Sequence, residues 1–343
     1  MARRHNTCPL LPPPPSLAPT PPVNNDTQIS ETDVVTRGKS KAALAGSSGS
    51  FVQSVQWLRA GVVSGDSNAT VLGVCCVGGL RLYDTVSSAL LFDHALEADD
   101  VGEAAPAGLG RAGYAVTAVC SAAPVDGDGS PFVAVAATSR GEVLIFSVGN
   151  GGKAVELVAT VDVGGSEESA VSVLASPADL PGPTAAATSP FVVSGSKSGT
   201  TALWQVGAGG ASLDLVWTAF EPTGDLVGIP CTSVAMRNGV IYAAYGNGVV
   251  RLFDAEEQRL VAEIDAHGRA VTGLAVHPTQ PWFATVGQDS VLAVFAVGEG
   301  TRVEALTTRV LEDSMPFGVA WSGRSILVSK YDSRKLDIFW IQS

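Results

Sequence analysis

Short apolar runs separated by polar turns recur along the chain from residue 51 onward. Each repeat has a short apolar strand, a second strand rich in Val and Ala, a tight polar turn, and a third strand that carries an aromatic residue. These aromatic residues are Tyr83, Phe146, Trp204, Phe253, Phe295 and Phe339. Their successive positions differ by 63, 58, 49, 42 and 44 residues, which approaches the roughly 40–45 residues of a four-stranded propeller blade. The pattern predicts an all-β propeller with six clear blades over residues 51–343.

The turns before these aromatic residues support the same alignment. A glycine stands five residues before the aromatic residue in three repeats and four residues before it in the first repeat; these glycines are Gly141, Gly199, Gly248 and Gly79. Glycine permits the positive φ that tight hairpin turns require. Ser290 and Arg334 hold this position in the last two repeats, which predicts a different turn there.

The first fifty residues are rich in Pro, Ser and Thr and differ from the rest of the chain. Arg3 and Arg4 are followed by Pro12–Pro15 rather than by an apolar segment, which argues against a secretory signal. We interpret residues 1–50 as a disordered or extended lead before the propeller. Two alternatives stay open: the prolines form a polyproline ligand for an aromatic groove, or residues 16–50 donate strands and complete a seventh blade.

The last repeat predicts strands near residues 316–321, 325–330 and 335–341, so it lacks a fourth strand of its own. Propeller rings avoid free sheet edges by joining strands from opposite ends of the chain in one blade. We therefore expect the fourth strand to come from the N-terminal side, within residues 34–52.

Composition and charge exclude several classes of protein. With 46% hydrophobic residues among 343, the chain can form a large core. No run approaches the roughly 18–20 uninterrupted apolar residues of a membrane-spanning helix, so we expect a soluble protein. The 21 basic and 33 acidic residues give a net charge of −12, which disfavours binding to nucleic acid.

Cysteine and histidine usage predicts no metal site and no cofactor. Five cysteines, an odd number without a CxxC pair, predict reduced thiols and a cytosolic location. The four histidines lack the spacing of a zinc site. The GxGxxG match at residues 108–113 precedes a predicted strand, and the acidic DGDGS at 126–130 lacks the later Gly and Glu of a calcium loop, so both are interpreted as loops.

One repeat, residues 266–297, reads AHGRAVTGLAVHPTQPWFATVGQDSVLAVFAV and resembles a WD repeat. The resemblance implies a structural brace of hydrogen bonds at His267, Thr285, Asp289 and Phe295. Because Phe295 has no indole N–H, the line of hydrogen bonds should end at the threonine hydroxyl. A catalytic role for the His267–Asp289 pair is the alternative, but the chain has no GxSxG nucleophile motif.

A narrower resemblance lies in residues 229–272, which read IPCTSVAMRNGVIYAAYGNGVVRLFDAEEQRLVAEIDAHGRAVT. This stretch is similar to the WD repeat-containing protein fifty-four family, as are His94–Leu96 and Lys330–Asp332, so the likeness spans residues 51–343. It implies one further blade before residue 51. It also implies a cytoplasmic scaffold in a signalling or cilium-associated complex.

The leading functional hypothesis is a non-catalytic scaffold that binds other proteins through its loop faces. The alternative is a propeller enzyme of lactonase or hydrolase type with a metal in the central channel. Such an enzyme needs several Asp, Glu, His or Asn side chains at the starts of the innermost strands, where this sequence has mostly Val, Ala and Ser.

A candidate protein-binding face follows from the predicted positions of the loops. It combines the loops that enter the first strand of each blade with the turns between the second and third strands. Its candidate residues are Arg111, Tyr114, Arg140, Lys197, Asn247, Arg269, Gln288, Lys330 and Arg334. Six of these nine are basic in an acidic chain, which predicts a partner that contributes an acidic segment.

Overall fold

The computed structural model contains six four-stranded antiparallel sheets, arranged as the blades of a β-propeller. The residues it describes are 29–31, 52–59, 70–85, 87–96, 115–125, 132–149, 152–163, 170–177, 189–298, 302–312, 314–331, 333 and 335–341. The predicted all-β class and the six predicted blades are confirmed.

Within each blade the chain runs from the innermost strand outward. The first strand of the chain, β1 (Ile29–Glu31), belongs to the last blade. Blade 1 contains β2 (Val52–Arg59), β3 (Thr70–Cys76), β4 (Gly79–Asp84) and β5 (Leu90–Ala95). Blade 2 contains β6 (Val116–Ala122), β7 (Phe132–Thr138), β8 (Glu142–Gly149) and β9 (Ala154–Asp162). Blade 3 contains β10 (Val171–Ala175), β11 (Phe191–Ser196), β12 (Thr201–Val206) and β13 (Leu213–Phe220).

The second half of the ring repeats this order. Blade 4 contains β14 (Cys231–Arg237), β15 (Val240–Tyr245), β16 (Val249–Asp254) and β17 (Arg259–Asp265). Blade 5 contains β18 (Val271–Val276), β19 (Trp282–Gly287), β20 (Val291–Val297) and β21 (Val303–Val310). Blade 6 contains β22 (Pro316–Ser322), β23 (Ser325–Lys330) and β24 (Leu336–Ile341), with β1 as its outermost strand. Two short 3₁₀ turns, Ala208–Gly210 and Gly224–Leu226, lie in the connections before and after β13.

The core lies between the blades. The six predicted aromatic residues all lie on third strands, and all but Trp204 are buried. Phe146 of blade 2, for example, packs in one cluster with Leu80 and Leu82 of blade 1. Burial of apolar surface between neighbouring sheets contributes about 25 cal/mol per Å², so this packing is the main source of stability.

The turn before the third strand has the same backbone conformation in several blades. Gly141, Gly199 and Gly248 have φ of 90°, 97° and 90°, and in blade 1 the equivalent residue is Gly78 with φ 90°, rather than Gly79 as the sequence suggested. Ser290 adopts φ 61° at the same position. Blade 5 therefore keeps a positive φ at this position without glycine, because serine here tolerates the left-handed conformation that glycine adopts elsewhere.

Part-buried hydroxyl groups near the starts of the innermost strands join three pairs of neighbouring blades. Thr117 Oγ1 donates to the carbonyl of Val171 at 2.9 Å, in the next blade. The other two hydroxyls of this kind are Ser172, which donates to Cys231 O at 3.1 Å, and Thr272, which donates to Pro316 O at 2.8 Å. The sheet registers place Phe317 and Gln53 at this position in blades 6 and 1. Neither side chain is a hydroxyl, so the junctions that follow these two blades are built differently.

Strand β1 completes blade 6 by pairing antiparallel with β24, with Ile29 opposite Ile341 and Glu31 opposite Phe339. The fourth strand does come from the N-terminal side, but its expected location within residues 34–52 is wrong. The reason is geometric: β1 lies at the outer edge of blade 6 and β2 at the centre of blade 1, so residues 32–51 are needed to connect them. Apart from β1, the expected lead at residues 1–50 and the strands that could form a seventh blade lie outside the described residues.

Removal of residues 1–33 is expected to lower the melting temperature by more than removal of residues 1–24. The longer deletion removes β1 and leaves the backbone of β24 unpaired, whereas the shorter one retains the strand. Differential scanning calorimetry of both variants tests this difference. Equal melting temperatures would show that β1 does not stabilise blade 6.

Candidate protein-binding face

The face at which the innermost strands begin is called the top face, and the opposite one the bottom face. Because strands alternate in direction, the turns between second and third strands also lie on the top face. In blades 2 to 6 a backbone hydrogen bond joins this turn to the loop that enters the same blade. The donors are the amides of Ser139, Lys197, Gly246, Gln288 and Tyr331. The acceptors, in the same order, are the carbonyls of Ala115, Ala170, Pro230, Ala270 and Met315, at 2.8–3.1 Å. These bonds fix the turns in equivalent positions around the channel.

The candidate residues that the structure describes follow this pattern. Lys197 and Gln288 donate the recurring bond itself, Arg140 and Asn247 follow the donor in their blades, and Arg269 precedes the acceptor in blade 5. All are exposed except Arg140, which is half-buried. The structure therefore brings these five residues onto one face. Arg111, Tyr114 and Arg334 lie outside the described residues.

The positive charge of Lys330, which the sequence predicted to be available to a partner, is paired within the fold. Its Nζ lies 2.5 Å from Oδ2 of Asp337 on the neighbouring strand, and the Asp337 side chain is mostly buried. The two charges neutralise each other within blade 6, so Lys330 adds no uncompensated positive charge to the candidate face.

The remaining charges of the top face are mixed. Within the described part of the chain, Lys197 and Arg269 form no ion pair. The loops and strand ends on the same face also carry exposed acidic residues, which are Glu221, Asp225, Asp265 and Glu312. The predicted basic rim is therefore limited to local positive side chains, and recognition of an acidic partner would depend on their placement rather than on a uniformly positive surface.

A hydrogen-bonded brace holds the top of blade 5. His267 Nδ1 lies 3.0 Å from Asp289 Oδ1, and His267 Nε2 lies 2.9 Å from Thr285 Oγ1. The second Asp289 oxygen accepts from the Gly268 amide at 2.9 Å. The imidazole is buried, and it ties the loop that carries Arg269 to the turn around Asp289. The brace thus positions part of the candidate face.

Phe295 takes no part in this line of hydrogen bonds. Its ring stacks on Phe283 with centroids 4.9 Å apart, and Thr285 pairs across the sheet with Ala293. Phe295 therefore belongs to the apolar core. The tryptophan at the equivalent position of blade 3 does form the polar contact, since Trp204 Nε1 donates to Ser194 Oγ at 2.8 Å. Sequence reasoning noted Trp204 but missed its serine partner, which lies ten residues earlier.

His277 forms a second brace, on the bottom face, which sequence reasoning did not assign. Its Nδ1 accepts from the amides of Thr279 at 3.1 Å and Gln280 at 2.9 Å, so its Nε2 carries the proton and donates to Gly323 O at 2.9 Å. The ring packs edge-on against Trp321 at 4.7 Å. Burial lowers the pKa of His277 below its ordinary value, and the nearby Arg237 adds to this effect. The histidine is therefore built into the fold in its neutral form.

The central channel contains a cavity of about 1030 Å³, which is lined by the innermost strands of all six blades. Its lining includes Val55, Trp57, Met236 and Trp321, and it contains no Asp, Glu, His, Lys, Arg or Cys side chain. Among the described residues no three His, Cys, Asp or Glu side chains are grouped to hold a metal. The described lining of the channel therefore holds none of the carboxylates and imidazoles expected for the enzyme alternative.

The four cysteines in the described part of the chain, Cys75, Cys76, Cys120 and Cys231, are buried and form no disulfide with one another. Burial raises the pKa of Cys75 and of Cys231 to about 12. Their thiols remain protonated near neutral pH, so these cysteines act as core residues and not as nucleophiles.

Comparison with known proteins agrees with the WD-type fold. A family model described as WDR54 matches residues 34–335. The chain belongs to the WDR54 family. It is 25% identical to WD repeat-containing protein 54 of Mus musculus over 262 residues, which is 74% of this chain and 70% of that protein. It is 26% identical to WD repeat-containing protein 54 of Homo sapiens over 275 residues, or 76% and 72% of the two chains. Propellers of this type are generally non-catalytic and generally bind other proteins.

Among solved structures, the crystal structure of the computationally designed Ika8 protein is similar to this member of the WDR54 family. The TM-score is 0.51 at 14% identity, covering 84% of this chain and 71% of that one, which is a likeness of fold alone. Within the described residues of the chain, no helix has the length and apolar character needed to cross a membrane.

The blade 5 brace is expected to contribute to stability as a unit. His267→Ala and Asp289→Ala should each destabilise the protein by about 1–3 kcal/mol, because each leaves a polar partner unsatisfied. The double variant should cost less than the sum of the two, since both residues belong to one network. Urea denaturation of the four proteins of a double-mutant cycle measures the coupling. Asp254→Ala is the matched control: that aspartate accepts only from the amides of Glu256 and Glu257, so it should show no coupling to His267→Ala.

The bottom-face histidine predicts a loss of stability in acid. Because the pKa of His277 is lowered in the folded state, the folded protein binds its proton less readily than the unfolded chain does. Stability should therefore be full above the ordinary histidine pKa of about 6.5 and fall as the pH drops below it. His277→Asn retains a hydrogen-bonding side chain without a titratable ring, so it should show a smaller decrease in melting temperature between pH 7.5 and 5.5. An unchanged decrease would show that other groups cause it.

Proposed function

We propose that this WDR54-family propeller is a non-catalytic scaffold whose top face binds an acidic segment of a partner protein. The observation that carries the proposal is the fixed, exposed placement of Lys197, Gln288 and Arg269 around the channel mouth. Because hydrogen bonds already fix the backbone of these turns, binding at them costs little further backbone entropy.

The blade 5 brace supports this assignment. It joins the loop that carries Arg269 to the turn that carries Gln288, through a buried imidazole that accepts or donates at both nitrogens. Lys197 is held by its own backbone bond to Ala170. A partner carboxylate that approaches this rim would meet two cations with no ion-pair partner among the described residues, and such complementarity favours both the orientation and the rate of association.

The proposal includes a cytoplasmic location and membership of a signalling or cilium-associated complex. The cytoplasmic part is supported by the described cysteines, which are buried and form no disulfide with one another, since exported proteins tend to join cysteines in disulfides. The cilium-associated part is supported only by the family resemblance.

The double variant Lys197→Glu/Arg269→Glu is expected to weaken partner binding by about tenfold or more, equivalent to about 1.4 kcal/mol. Attraction to an acidic segment becomes repulsion, while both side chains are exposed and the fold should be unaffected. Proximity labelling in cells identifies partners of the wild-type protein, and titration of each purified partner against both proteins at low and high salt measures the change.

The matched control is Lys153→Glu/Arg324→Glu. These exposed residues lie in turns on the bottom face, and the variant has the same net charge as the test variant. It should retain partner binding. If both variants weaken binding equally, overall charge is responsible and the top face is not the binding site; if neither does, the acidic-segment proposal is wrong.

A further inference from the structure

The junction between blades 6 and 1 differs from the other five. At each of those five, apolar side chains of the two neighbouring blades form a shared buried cluster. Among the described residues, no such cluster joins blade 6 to blade 1. The hydroxyl bond that joins blades 2 and 3, blades 3 and 4, and blades 5 and 6 is also absent there, because Phe317 replaces the threonine or serine and is 60% exposed.

The blade 1 wall of this junction is apolar and open. The fourth and sixth residues counted from the start of the innermost strand face the preceding blade, as Val234 and Met236 do in blade 4, where they are 7% and 3% exposed. Their equivalents in blade 1 are Val55 and Trp57, which are 51% and 58% exposed. The Trp57 indole is thus accessible here, whereas the equivalent Trp321 of blade 6 is half-buried.

The blade 6 wall is open in the same way. On the third strand of blade 5, the residues that face the next blade are Leu292 and Val294, both fully buried. The register of β24 gives Leu336 and Ile338 these positions, with Trp340 next along the same face. Leu336 is 50% and Trp340 43% exposed. Both walls therefore expose apolar and aromatic surface that folding would otherwise bury.

The N-terminal segment of the chain is attached to the propeller beside this junction, through β1. Ile29 pairs with Ile341, one residue beyond Trp340, and Ser30 lies opposite Trp340 itself. Because β1 runs antiparallel to β24, Ile29 lies at the bottom end of blade 6, which is where the preceding segment is attached. Trp57 lies near the bottom end of its own strand, so the two exposed indoles and the exit point of the segment share one end of the junction.

The sequence of that segment suits an aromatic groove. It holds seven prolines between residues 12 and 22, which are Pro12, Pro13, Pro14, Pro15, Pro19, Pro21 and Pro22. Proline-rich segments favour the extended polyproline II helix, which needs no backbone partners and packs its rings on aromatic side chains. A strand-forming occupant would require amide donors that these prolines lack.

We propose that residues 12–22 bind in the junction between blades 6 and 1, packed as a polyproline II segment between Trp340 and Trp57. The proposal is independent of the top-face function. Residues 23–28 can span about 20 Å when extended, and the three strand spacings from β1 to β22 amount to about 14 Å, so the tether is long enough. Attachment through β1 also gives the segment an effective concentration in the millimolar range, which favours it over a free competitor.

The test uses the full-length chain with all seven prolines changed to serine. Acrylamide quenching of tryptophan fluorescence should increase relative to the wild type, and the increase should disappear when Trp57 and Trp340 are both changed to Phe. A synthetic peptide of residues 9–25, added at about 1 mM, should reverse the increase. The same peptide should not bind the wild-type protein, because its own segment occupies the junction.

Leu336→Ser and Leu215→Ser, each added to the seven-serine variant, distinguish binding at this site from non-specific binding to exposed apolar surface. Leu215 is 54% exposed on the outer strand of blade 3, so its loss should leave peptide binding unchanged, whereas Leu336→Ser should weaken it. Unaltered quenching in the seven-serine variant would overturn the proposal, as would peptide binding that is equal in both leucine variants. If light scattering instead shows that the seven-serine variant forms dimers, and the variant does not bind the peptide, a second copy covers the junction and the proposal is wrong.

Discussion

The structure depends on sheets that pack face to face around a ring, so that each middle strand is covered on both sides. Strand β7 shows the consequence: from Val133 to Thr138 every residue is buried. The outermost strand β9 alternates between exposed and half-buried residues instead. A strand with two covered faces must be apolar throughout, which explains the Val- and Ala-rich second strands of the repeat. It also means that two adjacent blades that do not pack against each other both expose apolar surface.

The sequence carries this constraint clearly where the repeat is regular. The third-strand aromatic residues and the turn glycines predict six blades in the correct order, because both are required locally in each hairpin. The closing strand could not be located in this way. β1 is only three residues long, Ile29–Glu31, and it pairs with β24 through its backbone, which leaves no periodic pattern for a sequence to show.

The residues of the candidate site also differ in how far the sequence could predict them. Lys197, Gln288 and Arg269 could be assigned to one face because strand order alone decides where turns lie. The pairing of Lys330 with Asp337 could not, since it depends on which side chains meet across two strands. His277 was missed for a related reason: its partner Gly323 lies 46 residues away and contributes a backbone carbonyl, which any residue could supply.

The positions of charged and apolar groups separate two kinds of binding surface on one ring. The channel lining has no ionisable side chain, so charge acts only at the rims, where Lys197 and Arg269 are exposed and their attraction to a partner is weakened by salt. The blade 6–blade 1 junction has the opposite character, with Trp57 and Trp340 exposed at the bottom. Contacts there depend on burial of apolar surface, which salt does not screen. Because the two surfaces lie at opposite ends of the ring and use different interactions, occupation of the junction by the proline-rich segment would leave the top face free for a partner.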